Sequence, residues 1–158
     1  MAPKRILKRY GFTALVATIV ARFSPWLNSP CRLEAADGKP RDRIWLGNYG
    51  ECVATAWLRA HGCKILARNY RSPRKGEVDI IARDGRLLLF VEVKTRQAGS
   101  RIRGLDAVGK DKQALIERGA NSWLKRLGTR NLPWRFDVIE VTVEEGKKPH
   151  VNWVKDAF

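Results

Sequence analysis

The chain has little with which to cross-link itself, to bind soft metals or to span a bilayer. Its 158 residues include three cysteines and two histidines. Cys31, Cys52 and Cys63 are odd in number and show no C-x-x-C spacing, and neither His61 nor His150 completes a zinc-like pattern with them. These facts argue against a disulfide scaffold and a structural zinc site, and they suit ordinary thiols in a reducing cytoplasm. Long hydrophobic runs are also missing. Gly11 to Ala21 carries no charge, but so short a stretch cannot cross a membrane as a helix. Acid is scarce as well: 16 Asp and Glu stand against 31 Lys and Arg, a formal net charge of +15. A surplus of that size attracts polyanions, either nucleic acid or an anionic membrane face. The alternative is a merely soluble basic protein.

What is present fits one globular domain. The length suits a single core, and 44% of residues are hydrophobic. Residues 1–43 are the exception. Lys4, Arg5, Lys8 and Arg9 precede the uncharged run, which mimics a signal peptide, yet no clear small-x-small cleavage site follows. Ser24-Pro25, Ser29-Pro30 and Asp37-Gly38-Lys39-Pro40 punctuate the segment as linker. It is read as a poorly ordered or loosely packed extension, with an amphipathic membrane-surface helix as the alternative. The domain proper is expected over residues 44–158.

Within that domain two apolar strand-like runs carry acids. Gly76-Glu77-Val78-Asp79-Ile80-Ile81 is followed, after a short turn, by Phe90-Val91-Glu92-Val93-Lys94. Alternate residues of a strand share a face, so Glu77 goes with Asp79 and Glu92 with Lys94. Asp84-Gly85 is a strong hairpin signal. With those two as the turn, Arg83 pairs with Arg86, Glu77 faces Glu92, and Asp79 lies diagonal to Glu92, roughly 7–8 Å away. Carboxylates crowded in this way need a partner. A hard divalent cation, Mg²⁺ or Mn²⁺, supplies one, with Lys94 beside it. The competing reading is a wet sheet face with a salt-bridge ladder. Against it, Leu87-Leu88-Leu89-Phe90-Val91 reads as a strand covered on both sides.

Helical periodicity places Leu46, Gly50, Val53, Ala54, Trp57 and Leu58 on one arc of a helix near 44–61, with Asn48, Cys52, Thr55 and Arg59 opposite. Glu51 lies at the margin of the apolar arc, either reaching the acidic site or serving as an ordinary boundary residue. A strand over 63–70 leads into a basic loop with Arg68, Arg71, Arg74 and Lys75, and Tyr70 among them. Arginine pairs with phosphate and tyrosine stacks on bases; a solvated loop is the bland alternative. Arg96, Arg101 and Arg103 lie in a polar, glycine-containing segment that reads as a substrate loop. A helix near 106–127 carries Lys112 on its apolar stripe with Gln113 next to it. That lysine either snorkels outward or reaches the acids. Strands at 134–143 and 151–154 complete the pattern.

The ordered set of motifs resembles the YraN family of uncharacterised bacterial proteins. It comprises Gly47-Asn48-Tyr49-Gly50-Glu51, Arg68-Asn69-Tyr70-Arg71, Gly-Glu-x-Asp-x-Ile, Phe-Val-Glu-Val-Lys-x-Arg, Lys112-Gln113, Arg135-Phe136-Asp137-Val138 and the terminal Ala157-Phe158. That family is grouped with the restriction-endonuclease-like PD-(D/E)xK nucleases and is similar to archaeal Holliday-junction resolvases. The resemblance implies an α/β fold with a mixed central sheet flanked by helices, in the order α-β-β-β-α-β. It implies metal binding by Asp79 and Glu92, Lys94 as the third signature residue, and Glu51 as the acid that completes the site. Glu77 and Gln113 are accessory candidates. The superfamily's Pro-Asp stands as Val78-Asp79 here.

The function expected is that of a Mg²⁺- or Mn²⁺-dependent endonuclease acting on nucleic acid in the cytoplasm, DNA and branched DNA foremost. No small-molecule cofactor and no membrane association are expected, and a homodimer stays open. The alternatives are a nucleic-acid-binding module that does not cleave, and a membrane-surface scaffold using residues 1–43.

Overall fold

The computed structural model describes residues 15–99, 109–128 and 131–158. The basic start at Lys4 to Arg9, the loop residues Arg101 and Arg103, and the first turn expected of the 106–127 helix lie outside the described residues. Among the described residues the elements are four helices and five strands: α1 (15–23), α2 (Pro25–Asn28), α3 (Arg43–Ala60), β1 (Lys64–Arg71), β2 (Glu77–Asp84), β3 (Leu87–Gln97), α4 (Lys110–Arg126), β4 (Trp134–Val143) and β5 (His150–Val154). The strands form one mixed sheet in sequence order. Only the β3–β4 pair is parallel, as the intervening helix requires. The fold is thus the expected α/β core with helices on both faces.

Each helix is set by its ends and its apolar stripe. Asp42 caps α3 by accepting the Trp45 N–H at 2.7 Å, and Gly62, at φ 81°, turns the chain out of it. Val53, Ala54 and Leu58 then pack on Ile80, Leu89, Val91 and Ile139. On the other face, Ile116, Ala120 and Leu124 of α4 pack on Val78, Phe90, Phe136 and Val138. β3 is therefore buried on both sides, which is why its first five residues tolerate no charge.

The β2–β3 register differs from the one expected. Asp84 pairs with Leu87 and Arg83 with Leu88, so the two-residue turn is Gly85-Arg86. Gly85 takes φ 57°, and glycine at the first central position is the signature of a II′ hairpin turn. Continuing this register sets Asp79 directly opposite Glu92 instead of diagonal to it. The parity is unchanged, so the two still share a face.

Simple alternation also fails near Asp79. Val78 joins the core under α4 while Ile80, two residues on, joins the core under α3. Its neighbour β1 wrings in the same place: Asn69 has φ 49°, a left-handed conformation that asparagine tolerates better than most residues. The β2–β3 ladder ends with Ile80–Val91, so the strands open just where Asp79 and Glu92 stand.

Residues 24–42 pack more closely than a loose linker would. Cys31 is buried in the core under α3. Its N–H donates to Lys147 O, and its carbonyl accepts from the Gly146 N–H. Trp26 meets Tyr49 edge-on at 5.7 Å. The boundary expected at 43/44 falls inside this packing. Thr55, on the helix side opposite the apolar arc, is buried, and with Ala56 it lines a pocket shared with Ile19, Val20, Phe23, Ser24 and Trp26.

Candidate active site

Asp79 and Glu92 come together at the open end of the β2–β3 hairpin. Asp79 accepts the Val93 N–H at 2.8 Å, a donor freed where the ladder stops. Glu92 is 2% exposed. Lys94, two residues along the same face of β3, lies 2.9 Å from Glu92 Oε1. Lys112, reaching down from α4, lies 3.2 Å from Glu92 Oε2 and 3.9 Å from Glu77. Glu77 thus reaches the group despite the broken alternation.

Electrostatics follow from this crowding. Burial, then the neighbouring Glu92 charge, pushes the Asp79 carboxyl up to about 7, against the pull of the Val93 N–H and Lys112. For Lys112, burial is the largest single influence and disfavours its charge. Glu92, Asp79 and Glu77 together outweigh it and raise its pKa. Three acids and two ammonium groups thus meet in a partly dry pocket in which Asp79 and Glu92 repel each other.

Glu51 has a different partner. Its Oε2 lies 3.6 Å from Arg68, and the Arg68 guanidinium also donates to Cys52 Sγ at 3.7 Å. This pair belongs to the α3 side, whereas Glu92 meets α4. Among the described residues no three of His, Cys, Asp and Glu group closely enough to hold a metal ion by themselves. The donor set near Lys94 is therefore two carboxylates, which suits a hard cation that keeps waters and substrate oxygens in its shell.

Arg71, Arg74 and Lys75 are exposed, and none has an ion pair among the described residues. Their loop, closed by the Gly76 N–H donating to Ser72 Oγ at 2.8 Å, leads directly into Glu77. Behind it, Tyr70 hydrogen-bonds Ser122 at 3.0 Å and meets Trp123 edge-on, so the tyrosine expected to stack on bases is tied to α4. Arg96 is half-buried. Gln113 is half-buried on the turn of α4 that carries Lys112.

The sequence reading missed Glu140. It is in register with Lys94 on β4, is buried and accepts from Asn152 Nδ2 at 2.8 Å. An acid inside Val138-Ile139-Glu140-Val141 is the same kind of signal that exposed Glu92.

The comparisons agree with the motif set. The model of "Uncharacterised protein family UPF0102" matches residues 50–141. A UPF0102 protein of Syntrophotalea carbinolica is 45% identical over 116 residues, covering 73% of this chain and 93% of that protein. One from Geobacter metallireducens is 42% identical over 113 residues, covering 72% and 91%. One from Rhodococcus jostii is 42% identical over 113 residues, covering 72% and 95%. The matched span runs from Gly50 through the hairpin to β4 and contains Asp79, Glu92, Lys94 and Lys112, and this chain belongs to the uncharacterised family UPF0102, the YraN family.

Proposed function

We propose that this protein binds nucleic acid, DNA foremost, and hydrolyses its phosphodiester bonds with a divalent cation, Mg²⁺ or Mn²⁺. The observation that carries this reading is the burial of Asp79 against Glu92 at the end of an otherwise apolar hairpin, with Lys94 beside them. Burial and the Glu92 charge hold Asp79 near 7 despite the pull of Lys112, and an added cation would favour its ionised form. Asp79 and Glu92 would hold that ion, whose contribution when bound is to polarise a phosphoryl oxygen and acidify an attacking water.

The chain's own residues supply the rest. The Val93 N–H orients Asp79. Lys94 is placed beside the acids where an ammonium stabilises charge that builds on phosphate in the transition state. Arg71, Arg74 and Lys75 neutralise the substrate backbone, which fixes register without reading sequence.

A second reading is a binding module that does not cleave. It is favoured by Glu51, which pairs with Arg68 instead of completing the site from the helix. A cleavage screen over single-stranded, duplex, flap and four-way-junction substrates with Mg²⁺ and Mn²⁺ separates the two. Metal-dependent cutting that disappears in Lys94→Ala, with binding retained, supports the nuclease. Salt-sensitive binding with no cutting supports the module. Absence of binding refutes both.

A further inference from the structure

Glu92 is held by two ammonium groups of different kinds. Lys94 belongs to the same strand and meets Oε1 at 2.9 Å. Lys112 comes from another element and lies 3.2 Å from Oε2, an oxygen buried with the carboxylate. Lys112 is also shared: Glu77 is 3.9 Å away, and the Asp79 charge acts on it. A cation shared among three acids and brought in by a separate helix is the contact here most open to exchange.

We infer that Lys112 is the resident counter-cation of this site, which a divalent metal must displace from Glu92 Oε2 in order to bind. The inference rests on the metal-site reading above. A divalent ion held by Glu92 Oε2 would be repelled by the Lys112 ammonium, 3.2 Å from the same oxygen. Removing the ammonium frees the oxygen for metal. It also leaves the buried Glu92 with less compensation, so the metal-free protein is weakened. Lys112 is then a positioning residue: displaced, its ammonium becomes available to the substrate phosphate.

The test is calorimetric titration of the full chain with Mn²⁺ alone, without nucleic acid, together with thermal melts with and without Mn²⁺. Lys112→Met should bind Mn²⁺ about tenfold more tightly than wild type, a coupling of ordinary size. It should melt lower without metal and gain more from its addition. Lys112→Arg keeps the charge and should not gain affinity. If Lys112→Met does not fold without metal, Lys112→Gln takes its place. Equal or weaker Mn²⁺ affinity after loss of the charge, or an equal gain in Lys112→Arg, overturns the role of Lys112 and leaves the site standing. Absence of Mn²⁺ binding in every protein overturns the site reading and this inference with it.

Discussion

Two buried acidic groups sit one register step apart on adjacent strands. Val91 pairs with Asp137 and Glu92 with Val138, and Asp137 lies on the opposite face from Glu92, the face where Ile139 meets the core under α3. Asp137 is fully buried. It accepts from Arg135 Nε at 2.7 Å and Nη2 at 3.1 Å, from Trp153 Nε1 at 2.8 Å and from the Asp156 N–H at 3.0 Å. A carboxylate has about four lone-pair sites, and here all are engaged. Glu92 and Asp79 differ: Glu92 Oε2 shares the Lys112 ammonium with Glu77, and the two acids repel each other. A buried charge whose partners are all internal is part of the architecture. One whose partners are incomplete waits for something from outside.

The largest effect should come from breaking the satisfied group. Asp137→Ala would leave the Arg135 guanidinium, 20% exposed, without its counter-ion, and would release Trp153 and the Asp156 backbone. Removing one partner of a buried pair costs about 3–5 kcal/mol. Chemical denaturation of the variant should show a loss of that size with metal affinity unchanged in whatever fraction stays folded. A loss below about 1 kcal/mol would mean that Asp137 behaves like a surface ion pair, and the contrast with Glu92 would collapse.

Asp79→Asn should act in the opposite direction. The folded pKa of Asp79, about 7, lies above its ordinary value of 3.8. For a raised acid, the favourable contribution is complete below the unfolded pKa and is lost as pH rises through the folded one. Wild type should therefore lose stability between about pH 4 and pH 7 from this group, whereas the amide does not titrate. At pH 8 and without metal, Asp79→Asn should be more stable than wild type, on the order of 2 kcal/mol, with the gain vanishing near pH 4. It should also lose Mn²⁺ binding. Thermal melts across pH would check the sign; a variant less stable than wild type at pH 8 would show that the carboxylate contributes more to folding than it costs.

The extent of sequence legibility follows the same division between local and distant partners. The helices and the hairpin were legible because apolar periods of 3.6 and 2 and a glycine turn are local signals. The hairpin register was not, because Gly85 can serve either as second residue of an Asp84-Gly85 turn or as first of Gly85-Arg86, and packing of the whole sheet decides between them. Asp79, Glu92 and Lys94 stood out as charges in apolar strands. Asp137 and Glu140 give that same signal, and what distinguishes them is donors on β5 and the C-terminal segment, remote in sequence. The packing of Cys31 was hidden too, since backbone groups of residues 146 and 147 hold it. Glu51 lay at the margin of the apolar arc, but its pairing with Arg68 depends on where β1 docks.

A smaller effect should follow from closing the approach of β2 to α4. A Cβ on Gly119 would come 2.7 Å from Val78 Cγ2 and within 3.3 Å of the Glu77 backbone. Gly119→Ala gains up to about 1 kcal/mol of helix propensity and meets an overpacking cost of about 1–3 kcal/mol. The expected net is a loss near 1 kcal/mol with weakened metal binding, because α4 carries Lys112 and β2 carries Asp79. A stabilised variant with normal Mn²⁺ affinity would show that the helix can move without disturbing the acids.

The smallest effect on folding should come from Arg71 and Arg74, which extend the comparison to charges with no ion pair among the described residues. Both are exposed and flank the turn into β2. Replacing the pair with alanine should change stability by less than about 0.5 kcal/mol. Nucleic-acid affinity should nonetheless fall about equally for all sequences, because contacts to phosphate carry no base information. Each lost phosphate contact should lower the slope of log affinity against log salt by about one, so the double variant should be flatter by about two if both arginines engage. Binding isotherms between about 50 and 200 mM salt measure this directly. A double variant with the wild-type slope would move the electrostatic footprint off the loop at the acids and onto another basic surface. It would thereby separate nucleic-acid binding from the hairpin site.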